Sequence, residues 1–151
     1  GLEPAYQIDG GNVTWNRDSR GFRLLTEAEW EFAARARQPG PYAGLQAPDT
    51  AAWFDENSGG SPRAVATRAP NAWGLYDTCG NVWEWVWDRY DANPETGPSV
   101  DPTGHWSSDQ RVARGGAWSG TRYEVRTAIR RAGDVMEAGN DLGLRIARSL
   151  F

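Results

Sequence analysis

Asp77, Glu84 and Asp88 are the first residues of this 151-residue chain whose types could do chemistry, three carboxylates within indole-rich sequence. So spaced, they could trade protons as a general acid and base. They could also offer oxygens to a hard cation such as calcium, helped by backbone carbonyls of the turn at Gly80. The plainer reading is that they accept hydrogen bonds from buried indole and backbone N–H groups. His105, the single histidine, stands beside Trp106 in a Gly- and Ser-bearing loop, so an imidazole metal site or a Ser–His pair lacks its second member. Cys79, the single cysteine, lies between Thr78 and Gly80 without a basic neighbour. It reads as a packed thiol, and it can form no intramolecular disulfide. Arg126, Arg130, Arg131, Arg145 and Arg148 make the last third basic, the first three at near-helical spacing. They could grip a carboxylate or phosphate, yet arginines beside tryptophan more commonly stack on rings or pair with Asp and Glu.

The elements that must position these groups follow from periodicity. Tyr6 and Ile8, then Val13 and Trp15, flank Asp9-Gly10-Gly11, which predicts a hairpin over 4–16. Thr26 with Glu29 forms a capping-box pattern, and Trp30, Ala33, Ala34 and Arg37 follow on one face, so a helix is expected until Pro39-Gly40 stops it. Residues 38–72 show no sustained period and read as irregular backbone held by Trp53 and Phe54. From 81 to 88, Val82, Glu84, Val86 and Asp88 alternate with Trp83, Trp85 and Trp87, predicting a strand with one strongly aromatic face. A loop over 91–110 leads to RVARGGAW (111–118), read as another strand. LGLRIARSL (142–150) is expected to close the chain as a last strand, with Leu142, Leu144 and Ile146 on one face and Arg145 and Ala147 on the other.

Length predicts a single domain with one core. Nine tryptophans beside eighteen glycines suggest a loop-rich fold pinned by aromatics. A net charge of −4 gives no field for polyanions, so nucleic acid is not an expected partner. No apolar run approaches the roughly twenty residues of a membrane span, and GLEPAYQIDG has no signal-peptide pattern. Compartment stays open.

Four stretches in order, RLLTEAEWEFAARA (23–36), PNAWGLYDTCGNVWEWVWDRY (70–90), RVARGGAW (111–118) and DLGLRIARS (141–149), closely resemble the formylglycine-generating enzyme (sulfatase-modifying factor) family. The resemblance implies an α+β, C-type-lectin-like fold with small antiparallel sheets, about two helices and extensive irregular loops, one domain over 1–151. The family's N-terminal strands would precede Gly1 and are expected to be lacking here. The resemblance also implies two copper-binding cysteines after the RGGSW-like element. Aligned on Arg114 to Trp118, their positions fall at Gly120 and Val125, neither of which carries a thiolate, so no copper and no catalytic residue are expected. Related iron-dependent sulfoxide synthases need more histidines than His105. A structural calcium is implied at Asp77 and Glu84 through side chains and at Gly80 and Val82 through carbonyls.

A branch of the same fold without catalytic cysteines comprises the variable proteins of diversity-generating retroelements, and the C-terminal part is similar to theirs. Arg114 to Trp118, Arg126, Ala128, Arg130, Leu142, Gly143 and Arg145 match that branch's fixed frame. The resemblance implies a binding segment over about 114–145 with a surface built from Ser119, Gly120, Thr121, Arg122, Tyr123, Ile129, Arg131, Ala132, Gly133 and Asp134. Such residues suit adaptable recognition of an unknown protein or surface ligand. The expected function is therefore noncatalytic ligand binding. An oxidoreductase with altered chemistry and a regulatory or scaffold module are the alternatives.

Overall fold

The structure, a computed structural model, describes residues 1–93, 102 and 108–149. Tyr6–Asp9 (β1) and Asn12–Trp15 (β2) form the expected hairpin, with Tyr6 opposite Trp15. It is pinned by its aromatics: Tyr6 stacks on Trp87 at 5.0 Å between ring centroids and Trp15 meets the same ring edge-on at 5.5 Å. Arg23–Leu24 (β3) then leads into helix α1, Glu27–Arg35. Thr26 Oγ1 accepts from the Glu29 N–H at 3.2 Å and Glu29 Oε2 from the Thr26 N–H at 2.8 Å, so the capping box is present. The helix ends before Pro39, because Ala36 and Arg37 take left-handed φ values of 48° and 60°. Its buried face is Trp30 and Ala34.

Residues 38–72 are irregular apart from one turn of helix, α2, Asp55–Ser58. Phe54 is fully buried there, while Trp53 lies under Arg68 at 3.7 Å and near Arg63 at 5.6 Å. The segment reaches the next turn at Gly80, whose φ is +73° and where an added Cβ would come within 2.1 Å of the Trp53 carbonyl. Only glycine fits this crossing.

Strand β4, Trp83–Arg89, is central and buried on both sides: Glu84, Val86 and Asp88 on one, Trp83 and Trp87 on the other. It begins two residues later than the alternation suggested, since Asn81 has a φ of 65°. Strand β5, Gln110–Arg114, pairs antiparallel with β4, and it stops short of Trp118 because Gly115 and Gly116 turn the chain with φ of 96° and 79°. The near-helical spacing of Arg126, Arg130 and Arg131 is misleading. Arg130–Asp134 is strand β6, antiparallel to β5 with Arg131 opposite Ala113, and sheet pairing overrides the local spacing. The expected last strand is two: β7, Leu142–Leu144, parallel to β4, and β8, Ile146–Ala147, antiparallel to β3. The break falls at Arg145, whose side chain turns in to Glu84 while Leu144 and Ile146 stay exposed. The larger sheet thus runs β6-β5-β4-β7.

Helix α1 packs against β4 and β5, with Trp30, Ala34, Val86 and Val112 in one apolar cluster. Arg114 sits beneath it fully buried, paired with Glu27 at 3.4 Å and with Glu31, and donating to the Ala128 and Ile129 carbonyls at 3.0 Å each. Its guanidinium also lies 5.3 Å from the Trp30 ring centroid. No helix among the described residues is long and apolar enough to cross a membrane. Arg114→Ala removes a fully buried side chain and strips the half-buried Glu27 and Glu31 and the Ala128 and Ile129 carbonyls of their cation, and is expected to cost about 3–5 kcal/mol in urea unfolding. A loss under about 1 kcal/mol would mean that water reaches these groups.

Candidate functional site

The RGGAW turn sets the geometry of the C-terminal surface. Gly116 is held so close to the segment that returns past it that a Cβ would lie 2.8 Å from the Val125 Cα. The Trp118 N–H donates to the Asn81 carbonyl at 2.8 Å and its indole to the Asn140 carbonyl at 3.3 Å, which locks the start of the loop to the segments that lead into β4 and β7. At the far end Val125 is buried with Tyr42, Ala43, Phe54 and Cys79, and Thr127 Oγ1 accepts from the Ala43 N–H at 3.0 Å. Between these pins, Thr121 donates through N–H and hydroxyl to Glu124 at 2.7 and 2.9 Å, closing a short turn.

What this turn presents is specific. Ser119 and Thr121 are exposed, and Tyr123 is 60 % exposed with the Arg126 guanidinium 5.0 Å from its ring centroid. Arg122 is held flat against the surface by Asp49 at 2.9 Å and Glu56 at 2.8 Å, and lies 5.1 Å from the Phe54 ring centroid. Gly120 is buried, its carbonyl accepting from the Asp55 N–H at 3.0 Å.

The second stretch is more enclosed. Ile129 packs against the cluster of Trp83, Ala113 and Ala117, and Arg131 is half-buried between Glu137 and Asp141. Ala132 is half-buried and Gly133 buried, with a Cβ there falling 2.2 Å from the Trp85 ring. Exposure returns at Asp134, Val135 and Met136, the last 86 % exposed. Sequence reasoning therefore missed Arg126, counted with the frame, and Met136. Neither carries a signal in one sequence, since exposure is decided by the turn.

The three carboxylates do not converge. Asp77 accepts from the Ala66 N–H at 2.8 Å, Glu84 from Trp30 and Arg145, and Asp88 from the Glu27 N–H at 2.7 Å. They serve as acceptors, which disfavours an acid/base pair. For calcium the donor set does not fit as it stands, because both Glu84 oxygens already face a guanidinium. Cys79 is fully buried, its thiol pushed up to about 12 by burial, and lies 3.8 Å from the Thr127 hydroxyl. Such a thiol is inert. Two of the arginines are likewise engaged: Arg130 grips Glu27 at 2.6 Å and Arg145 grips Glu84 at 2.7 Å. His105 lies outside the described residues.

Among the described residues, short sheets, two helices and long pinned loops form the frame of a C-type-lectin-like fold. The chain belongs to the sulfatase-modifying factor enzyme 1-like family, which matches residues 5–150. The structure of Treponema denticola variable protein 1 is similar with a TM-score of 0.89 and 34% identity, over 97% of this chain and 63% of that one. The formylglycine-generating enzyme of Streptomyces coelicolor is 33% identical over 90% of this chain and 51% of its own length. The mouse inactive C-alpha-formylglycine-generating enzyme 2 is 31% identical over 99% of this chain and 52% of its own. The chain thus spans roughly half to just under two thirds of the length of these relatives.

Burial pushes the Asp88 carboxyl up to about 6, with the Glu27 carboxylate adding to it against the Glu27 N–H and Arg130. Its folded pKa stands above the ordinary 3.8, so its stabilisation is complete below that value and lost as pH rises through about 6. Asp88→Asn keeps an acceptor without the charge. Its stability relative to the parent should therefore grow between pH 4 and pH 7 in paired denaturation curves. A constant difference across that range would place the Asp88 titration outside it.

Proposed function

We propose that this chain is a noncatalytic ligand-binding domain, the variable protein of a diversity-generating retroelement, which recognises a protein or surface ligand through the loop over 119–126 and the exposed end of β6. The observation that carries the reading is the anchoring of that loop. Val125 and Thr127 are fully buried on one side and the Trp118 N–H is bonded on the other, while Ser119, Thr121, Tyr123 and Arg126 face outward. Side chains between such pins can change without disturbing the core, as antibody loops change on their sandwich. The likeness to a Treponema denticola variable protein supports the same reading. Tyr123 with Arg126 over its ring is a pair of the kind that dominates binding energy at interfaces.

The enzyme alternative draws on the 33% identity to a formylglycine-generating enzyme. Against it, Gly120 and Val125 stand where the resemblance puts the copper-binding cysteines, and Val125 is packed in the core beside Cys79. A soft metal there would have no sulfur ligand.

Sequencing this gene across one source population tests the proposal. Substitutions should concentrate at 119, 121–123 and 134–135 and spare Val125, Thr127 and Gly133, where burial or the Trp85 ring leaves no room. Uniformly low variation would instead favour a fixed binding or scaffold domain. Tyr123→Ala should leave the unfolding free energy within about 0.5 kcal/mol, since it removes an exposed ring. A loss of more than about 2 kcal/mol by urea unfolding would show Tyr123 to be part of the core rather than of a contact surface.

A further inference from the structure

The turn and strand that the family resemblance assigns to calcium already hold a cation. Glu84 is only 6 % exposed, and Arg145 donates to both of its oxygens, Nε to Oε2 at 2.9 Å and Nη2 to Oε1 at 2.7 Å. Oε2 also accepts the Trp30 indole N–H at 2.7 Å, which occupies both of its lone-pair directions. Arg145 Nη2 donates in addition to the Tyr76 carbonyl at 2.8 Å, so the guanidinium ties the start of the turn to the strand. Asp77, the other acidic side chain of the implied shell, is committed to the Ala66 N–H at 2.8 Å. Among the described residues no three acidic, histidine or cysteine side chains converge as a cage for a metal ion.

Calcium takes six to eight oxygens. At Glu84 it would have to displace the guanidinium or stand beside it at like charge. We propose that Arg145 is the built-in counter-ion of Glu84 and that this chain folds without a divalent metal at Asp77, Gly80, Val82 and Glu84. A buried carboxylate needs a paired cation. A guanidinium fork supplies one with fixed geometry and no dependence on dissolved ions.

Thermal melts of the whole chain in chelator and in millimolar calcium are the first test. The melting temperature should agree within about 1 °C, because an ion that binds neither state shifts nothing. Terbium, whose emission nearby indoles would sensitise, should give no saturable signal. A fall of several degrees in chelator, or stoichiometric terbium binding displaced by calcium, overturns the proposal. The second test is a double-variant cycle. Arg145→Ala should lower the melting temperature by about 10 °C, as expected when a buried carboxylate loses its partner. Adding Glu84→Gln removes the charge that needs the partner, and should return part of that loss. Additive losses would overturn the counter-ion assignment. Should Arg145→Ala fail to fold, the double variant and the chelator melts of the parent still decide.

Discussion

One buried carboxylate ties together three parts of the chain that are far apart in sequence. Glu84 on β4 accepts the indole of Trp30 from α1 and the guanidinium of Arg145 from the break between β7 and β8. Removing the carboxylate would take away a contact that the helix, the central strand and the closing strands share. Its neighbour Asp88 holds the first turn of the same helix through the Glu27 N–H. Buried acids that fasten a helix to a strand are costly to desolvate and costly to leave unpaired, so they specify one arrangement more than they add net stability. The apolar clusters around Trp30, Phe54 and Trp83 then fill the space that this arrangement defines.

Arg114 repeats the pattern on the opposite charge sign. It joins two carboxylates of α1 to the carbonyls that precede β6, so the frame beneath the C-terminal loop is electrostatic as well as aromatic. A frame built from directional contacts keeps its geometry when the side chains above it change. The loop over 119–126 joins that frame through buried Gly120 and Val125, and Thr127 pins the chain just beyond it. Division of labour between buried pins and exposed neighbours, residue by residue, is what distinguishes this surface from an ordinary flexible loop.

The legible parts of the fold were those with local signals. The hairpin at Asp9-Gly10-Gly11 and the capping box at Thr26 and Glu29 rest on contacts within a few residues, and both stand as the sequence suggests. The edges of β4, β5 and the last strands were misjudged, because left-handed backbone at Asn81, Gly115 and Gly116 and the inward turn of Arg145 depend on distant partners. For β6, arginines spaced like a helix gave no hint that β5 would claim them. At the surface, Tyr123 could be anticipated from its place after the RGGAW turn. Its stacking partner Arg126 could not, and neither could the enclosure of Gly133 by Trp85.

The strands that close the architecture come after the candidate binding segment in chain order. Strand β7 joins the large sheet beside β4, and β8 pairs with β3 near the opposite end of the chain. A ribosome therefore finishes the loop over 119–126 before it releases the strands that close the sheets around it. A stop codon or a frame shift within 119–141 would delete both closing strands together with Arg145. The truncated product would leave Glu84 buried without its cation and the edge of β4 open. Completion of the fold thus depends on the last stretch of the chain, which carries the partners of β3, β4 and Glu84 together.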